Sequence, residues 1–405
     1  MQKLTMVLLM LYAFAVPWEY AVDLGEPLGN AARIDGILML LAVVPLMLLR
    51  RRMRAPGAMQ WLVLGLYLYF MCSYFWTLDP LTTLEKMRAY FQVMMVIWIA
   101  WEVIETPENL RGVVRALVAG CWVLALLTAL SYASDSAMAA ERVRYVAEGM
   151  DPNDVARFLD FGFPLAALLF ATEESWTARL LAIGYVPVGL TAVLLTASRG
   201  GFTAGLAALL GSAMLLVSWR PRAASAVFAG LTVTAGAVFL YIPGDSLARL
   251  ATIPQEVGGG DLNDRLNIWM AGWHAFAKAP WWGYGAGTYT GAAALSPGDT
   301  AHNTVMAVLV TGGVVGLIIF ATTMVAAGWA IAKTTGLLRI ALGTTFAVWI
   351  ITSMVGSVEE NRMTWLLFAL IAVAGRLASE EPDRLAQAFS GTKSAEPAPQ
   401  LQAVH

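Results

Sequence analysis

Charge is scarce in this chain. Asp, Glu, Lys and Arg together make up 13% of its 405 residues, roughly half the share of a soluble globular domain. That scarcity excludes an ordinary soluble fold, and no nucleic-acid partner is expected. Cysteine is nearly absent. Cys72 and Cys121 both stand inside apolar runs, where a small buried hydrophobe is the ordinary role, so a disulfide framework and a cysteine–histidine zinc site are excluded. Histidine is rarer than chance would place it: only His274, His302 and the terminal His405. No metal ligand set and no cofactor is expected from these side chains. Alternating polar and apolar segments are missing too, which rules out a membrane β-barrel.

What is present is apolar length. Hydrophobic residues make up 59% of the sequence, gathered in runs of roughly 18 to 22 residues, each able to cross a bilayer core of about 30 Å. The reading is an all-α, polytopic integral membrane protein with about twelve spans. They fall near 4–22, 34–49, 59–77, 84–101, 112–133, 155–172, 179–197, 201–218, 223–241, 302–331, 337–355 and 362–378. Residues 1–380 form one transmembrane domain. From 381 to 405 the chain is rich in Pro, Ala, Gln and Ser and is expected to be a disordered cytoplasmic tail. The N-terminal run resembles a signal peptide, but it continues to about Val22 and is read as a retained first helix.

Basic residues set the expected sidedness. "RRRMR" (50–54) and "WRPR" (219–222) lie in short loops and should be cytoplasmic, which leaves both termini inside. Four polar segments then share the outer side: 141–157, 197–201, the loop 242–301 and 356–362. A loop of about 60 residues far exceeds an ordinary connection and points to function.

Several side chains on that side can carry chemistry. Arg199 in "TASRGG" stands between two spans. It is either a snorkelling hairpin arginine or an anion site, where guanidinium binds phosphate in bidentate fashion and Gly200 and Gly201 allow close approach. Arg265 precedes a segment with apolar residues at helical spacing: Leu266, Trp269, Met270, Trp273 and Ala277. We read an amphipathic helix lying in the interface, capped by Asp261 or Asn263 and stopped by Pro280. Its tryptophans, Trp269 and Trp282 among them, are interfacial anchors or sugar-stacking platforms. His302 stands where an apolar run begins. A helix N-terminus there disfavours imidazolium and leaves a neutral imidazole able to accept a proton. Its neighbour Asn303 either orients the turn or touches substrate. Arg142, Arg144 and Arg157 flank "DPNDVA" and face a polar cavity if they are not merely solvated. Asp160 lies inside a span, where an ionisable group is a functional candidate by default. Arginine is preferred to lysine on both sides, so that preference carries no argument of its own.

Four ordered elements, "DPNDVA", "TASRGG", "DRLNIWMAGWHAFAKAPWWGYGAG" and "AHNTVMAVLVTGGVVGL", resemble the O-antigen ligase and polymerase superfamily. They cover about residues 150–320. Within that superfamily the length, the twelve spans and the single large outer loop are most similar to the lipopolysaccharide O-antigen ligases. The resemblance implies a GT-C-like glycosyltransferase of the bacterial inner membrane with a periplasmic active site. It implies an undecaprenyl-diphosphate-linked glycan as donor and lipid A–core as acceptor. It also implies Arg199, Arg265 and His302 as the essential trio. The chemistry agrees: diphosphate leaves readily once its charge is stabilised, and a sugar hydroxyl needs a base. Asp261 and Asp264 could bind Mg²⁺, yet the arginines make a metal unnecessary, so a metal-independent, inverting reaction is expected. An O-antigen polymerase, a protein O-oligosaccharyltransferase and, from another class, a lipid-linked glycan transporter are the rival readings.

Overall fold

The computed structural model describes all residues except 1, 23–24, 26–28, 52, 135–143, 261–263, 297–298 and 392–405. Seventeen helices are described, and no strand is found among the described residues. In chain order they are α1 (Gln2–Ala15), α2 (Ala31–Arg50), α3 (Ala58–Cys72), α4 (Pro80–Val103), α5 (Pro107–Ala133) and α6 (Pro152–Thr172). There follow α7 (Trp176–Leu195), α8 (Arg199–Trp219), α9 (Ala224–Phe239), α10 (Gly244–Ala251), α11 (Ile253–Val257) and α12 (Arg265–Lys278). The last five are α13 (Tyr289–Ala292), α14 (Thr304–Lys333), α15 (Gly336–Ser353), α16 (Arg362–Glu380) and α17 (Pro382–Ala388).

Eleven of the described helices are long and apolar enough to cross a membrane. The protein is an all-α, multi-pass membrane protein. All twelve expected spans fall on long helices. The fourth, expected at 84–101, is α4, a helix of 24 residues whose Glu85, Lys86, Arg88 and Glu102 keep it out of the apolar group. Proline-led starts recur, with Pro80, Pro107 and Pro152 each in the first turn and Asp79, Thr106 and Asp151 capping them. Proline's missing N–H costs nothing there, and the cap oxygen takes up the exposed amides.

Burial orders the helices. Almost all of α6 and α16 is buried, whereas α9 is almost wholly exposed. In α6, Phe158, Leu159, Phe161, Phe163 and Leu165 point in every direction and are all buried. A helix that is apolar on all sides belongs in the centre, and α6 packs against α5, α7, α8 and α15. The outward leucines of α2 and α8, such as Leu48, Leu49 and Leu210, are exposed, as lipid-facing residues would be.

Each end of the bundle has its own charge fabric. At one end Arg50 pairs with Glu105 at 2.7 Å, the Arg54 amide donates to Glu102 at 2.7 Å, and Arg384 pairs with Glu108 at 2.9 Å. Here the expected disordered tail differs: Pro382–Ala388 is helical, and Leu385 and Phe389 are buried. The remainder, 392–405, lies outside the described residues. At the other end Arg362 pairs with buried Glu19 and Lys86 pairs with Glu360 at 2.5 Å, tying the turn after α1 (Val16–Ala21) and α4 to the start of α16.

That second end also carries a broken helix. Within α14, Gly313 has φ 62°, and the helical ladder is interrupted. The loop after α12 fills the gap: Tyr284 N–H donates to the Val310 carbonyl at 3.1 Å and Gly285 N–H to Thr311 at 2.9 Å. In return Val314 N–H donates to Pro280 at 2.8 Å and Val315 N–H to Trp281 at 3.3 Å. The loop repairs the backbone groups that the break would leave unsatisfied, a requirement at membrane level.

Candidate functional site

At this end a cavity of about 390 Å³ opens among α6, α8, α10, α11, α12 and the turn before α14. Arg144, Arg199, Arg249, Arg265 and His302 line it together with Asp151 and Glu256. Side chains from four separated stretches of sequence thus meet in one place, with cations in excess.

Local backbone geometry aims them. Ala197 has φ 49°, and this left-handed residue turns the chain into α8 so that Arg199 is its first residue. Ser198 caps α8 by accepting from Gly201 N–H at 3.1 Å and is hydrogen-bonded to Asn153 at 2.7 Å. Arg265 opens α12 in the same way after left-handed Asp264, φ 64°. His302 is itself left-handed, φ 45°, one residue before the Asn303 cap of α14. For residues with a side chain this conformation costs of order 1–2 kcal/mol, and such strain gathers at functional sites.

The charged contacts are specific. Arg199 Nη1 is 2.8 Å from Glu256 Oε1, and its Nε donates to the Arg249 carbonyl. Arg249 Nε donates to the Ala197 carbonyl at 3.2 Å, so the two arginines brace each other's backbone. Arg144 Nε donates to the Thr196 carbonyl at 2.9 Å. Burial pulls Arg265 below the usual arginine range, Asp151 opposes that shift and Arg199 adds to it. The half-buried His302 is held below the ordinary imidazole value, first by burial and next by the Arg265 guanidinium, with Asp151 and Asp299 pulling the other way. Burial thus acts in the same direction as the helix terminus expected from the sequence.

The other sequence candidates divide. Trp269 lines the cavity and its Nε1 donates to the Ala301 carbonyl at 2.9 Å, pinning the residue before His302. Gly200 lines it too, but an added Cβ would lie 2.7 Å from Val355, and one on Gly201 would lie 2.2 Å from Ala156. Close helix packing, rather than ligand approach, explains both glycines. Arg157 does not line the cavity: it is 2% exposed, pairs with Asp154 at 2.7 Å and lies over the Phe158 ring. Both ends of the Asn303 amide are used within the fold, accepting from Met306 N–H at 3.0 Å and donating to the Met354 carbonyl at 3.2 Å. Trp282 lies elsewhere, in an apolar groove with Trp76 and Tyr69. Asp160 is buried against Gly205 without a hydrogen-bond partner among the described residues and does not reach the cavity. Arg142, Asp261 and Asn263 lie outside the described residues. Asp264 accepts from the Asn267 amide at 2.5 Å.

The α12 helix runs Arg265–Lys278, as its spacing and the stop at Pro280 predict. Ile268, Gly272 and Ala275 face inward, while Leu266, Met270 and Trp273 are exposed. The exposed row is the apolar face an interfacial helix would turn to lipid, and Trp269 alone of the row predicted from spacing reaches the cavity. Sequence reasoning missed Arg249 and Glu256. The amphipathic run "GDSLARLA" of α10 was the available signal for Arg249, while nothing local marks Glu256.

The fold and the cavity define a class: a multi-pass helical membrane protein with an arginine-rich polar pocket at one end of the bundle. Residues 184–321 match the family model described as O-antigen ligase, which supports membership of the O-antigen ligase superfamily. Members of that family are glycosyltransferase-like enzymes of glycan assembly. The matched stretch contains Arg199, Arg249, Glu256, Arg265 and His302, while Arg144 and Asp151 precede it. No curated protein matches the chain.

Proposed function

We propose that the protein is an O-antigen ligase of the bacterial inner membrane. It transfers a glycan from undecaprenyl diphosphate to a sugar hydroxyl of lipid A–core at the periplasmic face. The observation that carries this reading is that Arg199, Arg265 and His302 line a single cavity. The sidedness rests on Arg50, Arg51, Arg54, Arg220 and Arg222, which stand at the opposite end and by the positive-inside tendency face the cytoplasm.

In this reading His302 accepts the proton of the acceptor hydroxyl as its oxygen attacks the anomeric carbon. The bond from that carbon to the diphosphate oxygen breaks, the configuration inverts, and undecaprenyl diphosphate leaves. Arg199 and Arg265 take up the charge that gathers on the leaving oxygens. Arg144 and Arg249 add positive potential around them, and Trp269 offers a ring face to the sugar. The carboxylate of Glu256 holds Arg199 until diphosphate replaces it.

The test is transfer by purified protein with lipid-linked donor and lipid A–core. His302→Ala is expected to lower kcat by about 10²–10⁴, and Arg199→Ala and Arg265→Ala to lower it at least as far while leaving a measurable residual rate. Wild-type turnover in His302→Ala would remove the base assignment. Chain extension with donor alone would instead identify a polymerase.

A further inference from the structure

At the opposite end of the bundle lies a second polar cavity, of about 510 Å³, between the start of α5, the α6–α7 turn and α17. Six charged residues line it: Glu108, Arg111, Glu173, Glu174, Arg179 and Arg384. Two of the carboxylates are already neutralised. Arg115 grips both oxygens of Glu173, at 2.6 and 2.7 Å, and Arg384 holds Glu108 at 2.9 Å.

Two cations remain against the single carboxylate of exposed Glu174. Arg179 spends its Nε on the Glu173 carbonyl at 2.6 Å and lies over the Trp219 ring. Arg111 lies over the Phe389 ring at 5.3 Å, and its buried Nε has no hydrogen-bond partner among the described residues. Neither guanidinium has a carboxylate within 4 Å among the described residues, whereas Arg384 is shared between Glu108 and Glu381 at 2.9 and 3.1 Å. Arg111 is half-buried, and its buried Nε–H is costly to leave without an acceptor.

The surroundings indicate where that acceptor comes from. Beyond Arg179 on α7, Leu180 and Leu181 are exposed, and Trp176 is exposed at the helix start. An aromatic residue above bare leucines marks the level where headgroups meet acyl chains. We propose that this cavity binds the phosphodiester headgroup of an anionic phospholipid, held by Arg111 and Arg179, with its chains over Leu180 and Leu181. Its phosphodiester would supply both guanidinium groups with the anionic acceptor they lack, and basic pockets of this kind suit such lipids.

The experiment uses the full chain in nanodiscs of phosphatidylglycerol and phosphatidylcholine in equal amounts, followed by native mass spectrometry of retained lipid. Wild type should retain phosphatidylglycerol selectively. Arg111→Gln and Arg179→Gln should each weaken retention on the order of fivefold. Glu174→Gln, a surface change that leaves the fold intact, should strengthen it, while Arg51→Gln at the same end should leave it unchanged. Equal retention of the two lipids by wild type, or no response to Arg111→Gln and Glu174→Gln, overturns the proposal. Displacement by added inorganic phosphate overturns the lipid as the source and points to a soluble phosphate.

Discussion

Ala197, Asp264 and His302 share a backbone conformation that L-residues avoid, and each sits within two residues of a cation or imidazole of the cavity. None of this is visible in the sequence, because no glycine marks these three turns. What was legible at this scale was chemical type: arginine and histidine in an otherwise charge-poor chain. Which arginines meet the cavity was not, since Arg144 and Arg157 look alike on paper, and only the fold buries Arg157 against Asp154. His302 has a direct pH consequence under the proposed mechanism. Its imidazole is held below the ordinary value of about 6.5, and a base works only when deprotonated. The acid limb of kcat/KM should therefore lie below pH 6.5. Arg265 disfavours imidazolium, so Arg265→Gln should move the limb upward, toward the ordinary value, while lowering the rate. A pH profile of kcat/KM separates the two effects, because the position of the limb is independent of its height. An unmoved limb would mean that His302 is not the titrating base.

The α14 helix and the loop that precedes it make one element in practice. The sequence announces both parts, "WWGYGAG" and "TGG", as glycine clusters, yet their pairing depends on a contact that no periodicity encodes. The helical run itself was legible because apolar length is a strong signal, and its break was not, because two glycines inside a span are common. Gly283 and Gly313 have φ 66° and 62°, and an added Cβ would lie 2.5 Å from the Thr311 backbone and 2.4 Å from the Trp281 carbonyl respectively. Alanine normally improves a helix over glycine by about 1 kcal/mol. Here the sign should reverse: Gly313→Ala and Gly283→Ala should each cost about 2 kcal/mol or more, from the left-handed backbone and the clash together. Gly328→Ala, in the same helix with nothing within 4 Å, serves as the control and should be neutral or stabilising. Thermal unfolding in detergent reads all three.

Across the whole molecule, the residues assigned to the proposed reaction stand at one end, and charge pairs hold that end together. Fold class, span number and the shared end of the key elements were legible because they follow from length, hydropathy and parity. The ties between distant helices were not, since Glu19 and Arg362 stand 343 residues apart. Glu19 is buried and pairs with Arg362. Arg362→Met should therefore strand a buried carboxylate and cost about 3 kcal/mol, seen as a lower melting temperature. The double variant Glu19→Leu with Arg362→Met should recover most of that loss, because a buried pair removed as a unit is often nearly neutral. The broken helix also bears on how the protein is made. The loop at 280–285 and its partners at 310–315 are separated by only about thirty residues, so closing that contact costs little chain entropy, and local contacts form early. Arg265 and His302 therefore flank a contact that is short-range in sequence, whereas Arg199 reaches them only through the long-range packing of α6 and α8.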